Sequence, residues 1–199
     1  MYEREVKFYL QSQKAFQERL SAAGARLIHA RTHEFNLRFD TPNRDLQRLH
    51  QVLRLRQDSR IRLTYKGPTE REAGIRERRE IEVEVDDFAA ARSLLEALGF
   101  RVSFIYEKFR TTYALLETEI VLDETPMGYF LEIEGPDRRR IESAAEALGL
   151  DWKRAIAKGY AQLFEIARTR LGLAFGDLTF ENFAGISVRP SDLNVEPAD

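Results

Sequence analysis

An alternation of charged and apolar side chains, repeated along most of the chain, is the feature that most constrains the fold. At the N-terminus, Glu3, Glu5 and Lys7 lie on one side of an extended strand, because successive side chains of a strand point to opposite faces. The segments 52–56 and 61–66 alternate in the same way, and similar segments follow as far as Glu134. The sequence therefore predicts roughly eight strands, each with one apolar and one charged face.

Two arrangements could hold such strands. In an open sheet, the apolar faces are buried and the charged faces are wetted by solvent. Alternatively, about eight strands can close into a small barrel, and helices that cover the apolar faces from outside then leave the charged faces inside. A dry interior cannot hold so many charges, so the lumen must contain water, cations and an anionic ligand. We predict an α+β fold, a closed eight-stranded antiparallel β-barrel (a tunnel) with helices packed outside.

Three strand-like segments that each contain a Glu-x-Glu pair lead into helices. These helices end at Gly24, Gly99 and Gly149, as expected for C-cap glycines. The pattern is typical of a duplicated strand–helix unit, and no linker divides the chain. We therefore predict one tunnel domain over residues 1–171 and a C-terminal tail of unknown role over 172–199.

The last part of the predicted domain is a helix over 151–171, which presents Ile156, Tyr160 and Leu163 on one face. The tail that follows has scattered phenylalanines, glycines and prolines without a clear period. Such a segment is expected to lie on the domain or to be partly disordered.

Composition excludes several classes of function. Lys and Arg (31) nearly balance Asp and Glu (33), so the chain lacks the basic surplus of a nucleic-acid-binding protein. Without cysteine, disulfides, thiol nucleophiles and thiolate metal sites are excluded, and the three histidines lack metal-ligand spacing. No apolar run approaches the ~18 residues of a membrane span, and the charged start differs from a signal peptide. We expect a cytoplasmic protein without nucleic-acid or membrane partners.

The predicted lumen would be unusually rich in charge. Its lining would be Glu3, Glu5, Lys7, Arg38, Arg54, Arg56, Arg62, Lys66, Arg78, Glu80, Glu82, Glu84, Lys108, Arg110, Asp123, Glu132 and Glu134. For Arg38, a position in solvent is equally open. Carboxylates without histidine or cysteine suit Mg²⁺ or Mn²⁺. Arginines and lysines favour a polyanion, because guanidinium forks match phosphate oxygens. Carboxylates, a divalent cation and basic side chains in one cavity are the groups that phosphoryl transfer requires.

The motif Glu3-x-Glu5-x-Lys7 resembles the N-terminal signature of the CYTH superfamily, the triphosphate tunnel metalloenzymes. That family includes class IV adenylate cyclases, thiamine triphosphatases and inorganic triphosphatases. Further blocks resemble the family in the same order, at 53–56, 63–68, 79–84, 106–110, 122–124 and 130–135. The resemblance extends from residue 2 to about residue 165 and implies an eight-stranded antiparallel tunnel with helices outside.

The resemblance also implies three overlapping sets of site residues. The catalytic set is Glu3, Glu5, Lys7, Glu80 and Glu82. The triphosphate-binding set is Lys7, Arg54, Arg56, Lys66, Lys108, Arg110 and Lys158. The ligands of Mg²⁺ or Mn²⁺ are Glu3, Glu5, Asp123, Glu132 and Glu134. Which carboxylates bind the metal and which orient the nucleophile stays open.

The functional hypothesis is a metal-dependent enzyme, monomeric or homodimeric, that binds a small-molecule triphosphate in the tunnel and hydrolyses it. The substrate could be a nucleotide, thiamine triphosphate or inorganic tripolyphosphate. The alternative is a class IV-type adenylate cyclase that converts ATP to cyclic AMP and pyrophosphate. A third hypothesis, from another class, is a polyphosphate-binding module without catalysis.

Overall fold

The computed structural model describes residues 2–72 and 74–199, so Met1 and Ala73 of the predicted domain lie outside the described residues. It contains nine strands: β1 (Tyr2–Leu10), β2 (Arg26–Asp40), β3 (Val52–Gln57), β4 (Ile61–Lys66), β5 (Glu70–Glu72), β6 (Ile75–Glu84), β7 (Arg101–Leu115), β8 (Thr118–Thr125) and β9 (Gly128–Glu134). The helices are α1 (Gln13–Ala22), α2 (Asp45–Arg48), α3 (Phe88–Ala97), α4 (Arg138–Ala147) and α5 (Tyr160–Leu171). None of these helices is both long enough and apolar enough to cross a membrane.

The strands form one antiparallel sheet that closes on itself. Their order is β1-β9-β8-β7-β2-β3-β4-β6-β5, and β1 also pairs with β6 from Tyr2↔Arg79 to Glu5↔Arg76. Eight strands thus form a ring, and the short β5 is added beside β6. The predicted eight-stranded antiparallel barrel is confirmed, while β5 was missed because its three residues lie in a polar segment without apolar alternation.

Apolar side chains on the outer face of the ring are covered by helices. Val6 and Phe8 of β1 pack with Phe16 of α1 and Ile141 of α4 in one core cluster, and all four are fully buried. A second cluster joins α3 to the outer faces of β2 and β3 through Leu95. Because apolar residues take the outer face, the intervening charged residues point into the ring.

The helix predicted over 151–171 is wrong in its first half. A 3₁₀ turn at Trp152–Arg154 comes first, and α5 begins only at Tyr160. Between them, the backbone N–H of Ile156 donates to the carbonyl of Lys7 at 2.7 Å. This segment is extended because it pairs with the free edge of β1 beyond the part that pairs with β6.

Residues 172–199, here called the C-terminal strap, pack on the ring along their length. Leu178 exchanges backbone hydrogen bonds with Ile105 and Glu107 of β7, both at 2.9 Å. Further along, the N–H of Ala198 donates to the carbonyl of Tyr9 in β1 at 3.0 Å. Leu178, Phe183 and Leu193 are buried in a cluster with α5. The strap therefore joins two strands of the ring and holds α5 between them.

Candidate active site

The ring encloses a cavity of about 1980 Å³ whose wall carries charges of both signs. The predicted site residues on this wall are Glu3, Glu5, Lys7, Arg54, Arg56, Lys66, Glu80, Glu82, Lys108, Arg110, Glu132, Glu134 and Lys158. Asp123 is directly opposite Arg110 in the ladder, but it is fully buried beneath neighbouring side chains and does not itself line the cavity. Glu84, also expected in the lumen, is exposed and pairs with Arg60 instead, because it is the last residue of β6.

One group of charges joins β1, β4 and β6. The ammonium of Lys66 lies 2.7 Å from Glu3 and 2.9 Å from Glu80, and Arg78 contacts Glu3 at 2.9 Å. Burial would raise the pKa of Glu3, but Lys66 and Arg78 outweigh it and hold that pKa well below its usual range. Burial and the neighbouring Glu3 raise the pKa of Glu80 despite Lys66. The two carboxylates therefore share one lysine and differ in proton affinity.

A second group surrounds Lys7 of β1. Its ammonium lies 3.0 Å from Glu132 and 3.6 Å from the centre of the Tyr160 ring at the start of α5. Burial lowers the pKa of Lys7, and Glu132 opposes this effect. Burial would raise the pKa of Glu132, but Lys7 and Arg110, the latter at 2.7 Å, hold it well below its usual range. Lys7 and Arg110 therefore favour the ionised form of Glu132, whereas burial weakens the proton affinity of Lys7.

Asp123 is the centre of a third group. Its carboxylate accepts hydrogen bonds from Lys108 at 2.8 Å, from two nitrogens of Arg110 at 2.7 Å, and from the Tyr160 hydroxyl at 2.7 Å. These donors come from β7 and α5. In this arrangement Asp123 fixes the positions of two predicted triphosphate-binding side chains.

Glu34 of β2 is a buried member of the site that the sequence reasoning missed. It lies 3.1 Å from Arg56, 3.5 Å from Lys108 and 3.7 Å from Arg110. Burial would raise the pKa of Glu34, yet these cations lower it strongly. The available signal was the alternation of β2, because Glu34 shares the parity of Arg38.

Tyr106 and Arg76 are two further residues of the wall that the sequence reasoning missed. Arg54 donates to the hydroxyl of Tyr106 at 3.4 Å, and Arg76 lies 3.0 Å from Glu5. Glu82 accepts from Thr64 at 2.8 Å. The signal for Arg76 was again parity, since it alternates with the predicted Arg78 on β6.

Several buried donors on this wall have no hydrogen-bond partner within the described residues. They are the Nε groups of Arg54, Arg56, Arg62 and Arg76. A buried unsatisfied N–H costs free energy comparable to a lost hydrogen bond. An anionic ligand with many oxygens would satisfy these donors, so the wall fits a polyanion.

A row of carboxylates crosses three neighbouring strands at the other side of the wall. Glu134 of β9 lies directly opposite Glu5 of β1 and opposite Glu119 of β8. Burial, together with Glu3, Glu119 and Glu5, raises the pKa of Glu134 to about 8. Among the described residues, no three acidic or histidine side chains are close enough together to hold a metal ion as they are placed here. The donors are nevertheless all carboxylate oxygens, which suit a hard divalent cation. Glu5 pairs with Arg76 and Arg78, whereas Glu134 has no ion pair within the described residues.

The closed ring of antiparallel strands, with both carboxylates and guanidiniums on its inner wall, is a charged tunnel. The sequence profile of the CYTH domain family matches residues 1–160. The chain belongs to the CYTH domain family, which confirms the resemblance noted in the sequence.

Known proteins resemble this chain in sequence or in fold. A protein of Methanocaldococcus jannaschii named "Putative adenylate cyclase" is 30% identical over 136 residues, which cover 67% of this chain and 77% of that protein. A solved "putative adenylate cyclase" from Vibrio parahaemolyticus matches with a TM-score of 0.74 at 23% identity, over 83% of this chain and 98% of that one. A "putative adenylyl cyclase" from Hippeastrum, whose structure is described as revealing a dominant triphosphatase activity, matches with a TM-score of 0.62 at 22% identity. That match covers 82% of this chain and 95% of the other.

Proposed function

We propose that this protein is a divalent-metal-dependent triphosphatase that takes a small-molecule triphosphate into the tunnel and releases its terminal phosphate. The observation that carries the proposal is the pairing of two unmet needs in one cavity. Within the described residues, four buried guanidinium Nε groups have no hydrogen-bond acceptor, and Glu134 faces Glu3, Glu5 and Glu119 without an ion pair of its own. A triphosphate with its divalent cation meets both needs at once. Membership of the CYTH family, a family of metal-dependent triphosphate tunnels, supports the same function.

The basic residues would bind the phosphate chain. These residues are Lys7, Arg54, Arg56, Lys66, Lys108, Arg110 and Lys158. Many of them are now held by carboxylates a few ångströms away, so the wall is already charged and ordered before substrate arrives. Pre-ordering matters because stabilisation of developing charge requires groups that need no rearrangement during the reaction.

Glu3, Glu5, Glu132 and Glu134 would hold Mg²⁺ or Mn²⁺. When bound, the cation would neutralise charge on the phosphoryl oxygens. Asp123, predicted as a fifth ligand, would have to give up hydrogen bonds to Lys108, Arg110 and Tyr160 to reach it. We therefore assign Asp123 the role of positioning the side chains of Lys108 and Arg110.

Glu80 and Glu82 would orient the attacking water from β6. Glu80 shares Lys66 with Glu3, and its raised pKa favours taking up a proton. For cyclisation, the ribose 3′-hydroxyl of ATP would instead attack the α-phosphorus, and pyrophosphate would leave. The relative from Methanocaldococcus jannaschii supports this second candidate by its name, whereas the Hippeastrum protein supports hydrolysis by the activity in its description.

The deciding experiment is incubation of the protein with Mg²⁺ or Mn²⁺ and, separately, ATP, thiamine triphosphate or tripolyphosphate. Free phosphate and cyclic AMP are measured together, with EDTA as the metal-free control. Phosphate release in the presence of metal is the expected result. Cyclic AMP and pyrophosphate without phosphate would establish a cyclase, and tight binding without turnover would establish a non-catalytic polyphosphate-binding module. A cytoplasmic location and a monomeric or homodimeric state stay predictions.

A further inference from the structure

Arg38 differs from the other arginines of the tunnel wall that neighbour it. Its side chain lines the cavity from β2, next to Arg54 and Arg78. Arg78 contacts Glu3, and Arg54 donates to Tyr106 and Thr64. Within the described residues, the guanidinium of Arg38 donates no hydrogen bond and makes no ion pair. It is thus a largely buried charge without an anion.

The register of the ring makes this arrangement costly. Arg38 lies directly opposite Arg54 in the β2–β3 ladder, and like charges directly opposite each other destabilise a sheet. The pKa of Arg38 is lowered by burial and by the neighbouring Arg78 and Arg54, although Tyr106 and Asp40 oppose the effect. Two guanidiniums that face the same space therefore repel each other unless an anion lies between them.

Asp40, the acidic residue closest along the strand, makes no ion pair with Arg38. One of its oxygens accepts the backbone N–H groups of Thr41 (2.8 Å) and Leu46 (2.9 Å), and the other accepts that of Gln47 (3.0 Å). These bonds fix the turn into α2, so the carboxylate is committed to the backbone. An anionic ligand in the cavity would supply the partner that Arg38 lacks.

We infer that Arg38 is a further phosphate-binding residue, which together with Arg54 holds the terminal phosphoryl group of the substrate. A terminal phosphoryl group has three unesterified oxygens, whereas an internal one has two, so it can accept from two guanidinium forks at once. The inference rests on the proposed function, because it names the part of a triphosphate that this end of the wall selects. Arg38 is then a specificity residue for substrates that carry a free phosphate end.

The test compares Arg38→Gln and Arg38→Lys with the unaltered protein by calorimetric titration of tripolyphosphate in EDTA, where no turnover occurs. Arg38→Gln should weaken binding about tenfold, and Arg38→Lys should recover part of the loss because it keeps the charge but not the fork. The matched control is Arg92→Gln, which removes an arginine of α3 that pairs with Glu96 outside the tunnel. Its binding should change less than twofold.

Thermal unfolding without ligand separates binding from folding. Arg38→Gln should unfold at the same temperature as the unaltered protein or higher, because the substitution removes repulsion with Arg54. A purely structural role would lower that temperature and would overturn the inference. Equal binding of tripolyphosphate by Arg38→Gln and the unaltered protein would also overturn it while leaving the proposed function standing. Failure of the unaltered protein to bind tripolyphosphate in EDTA would overturn the inference, whereas the proposed function is tested separately by phosphate release with Mg²⁺ or Mn²⁺.

Discussion

The pKa of Glu134 leads to a sharp prediction about stability and pH. In the metal-free protein, its pKa is raised to about 8 from an ordinary 4.5, by burial and by Glu3, Glu119 and Glu5. A raised carboxyl pKa means that the fold prefers the protonated form. The stability contributed by this preference is fully present below about pH 4.5 and is lost as pH rises through about 8.

The size of the loss follows from the shift. About 3.5 pKa units at roughly 1.4 kcal/mol each sets an upper limit of about 5 kcal/mol. Glu134 faces a wet cavity and is partly exposed, so screening reduces the expected loss to about 2 kcal/mol between pH 5 and pH 9. Glu134→Gln removes the ionisable group, so the free energy of unfolding of this variant should fall less over the same range.

The assay is urea unfolding in EDTA at pH 5, 7 and 9, with linear extrapolation of the unfolding free energy. Glu142→Gln is the matched control, because Glu142 lies on the outer surface in an ion pair with Arg138. The control should follow the unaltered protein. Addition of Mg²⁺ at pH 9 should restore stability to the unaltered protein more than to Glu134→Gln. Parallel loss of stability in all three proteins would refute the reasoning about the carboxylate row.

Four further substitutions test the assigned roles. Lys66→Ala should raise the KM for triphosphate about tenfold, whereas Glu132→Gln should mainly abolish metal-dependent turnover. Steady-state kinetics at varied metal concentration distinguish these results, and equal, metal-independent effects would contradict the division of roles. Asp123→Asn should raise the KM for triphosphate without changing the metal concentration needed for half-maximal rate; a large change in that concentration would instead make Asp123 a metal ligand. Leu178→Ala, at a fully buried position of the C-terminal strap, should cost about 2–4 kcal/mol in urea unfolding, and an unchanged midpoint would show that the strap adds no stability.

The ring and the identity of its inner face could be predicted because side-chain parity in a strand is strict. Once Glu3, Glu5 and Lys7 were assigned to one face, the helix-forming segments had to cover the other. The same parity places Glu34 and Arg76 in the tunnel, although both were missed. Parity thus placed the side chains on the inner face, whereas the roles predicted for them came from the family motifs.

Other features depend on contacts that no local pattern encodes. Asp123 is enclosed because Lys108, Arg110 and Tyr160 converge on it from separate elements. The helix expected from residue 151 is delayed because the N–H of Ile156 is used by β1. In both cases, hydrogen bonds between different elements of the fold decide the outcome.

The first strand has a consequence for how the site is acquired during folding. β1 is held by β6 at residues 76–79, by β9 at 129–134, by Ile156 and by Ala198. All these partners are distant in sequence, and contacts of high sequence separation form slowly because each must close a long loop. Since β1 also supplies Glu3, Glu5 and Lys7, chemistry and completion of the fold should appear together. A refolding chain would then gain activity in a single late phase that coincides with burial of the β1 backbone.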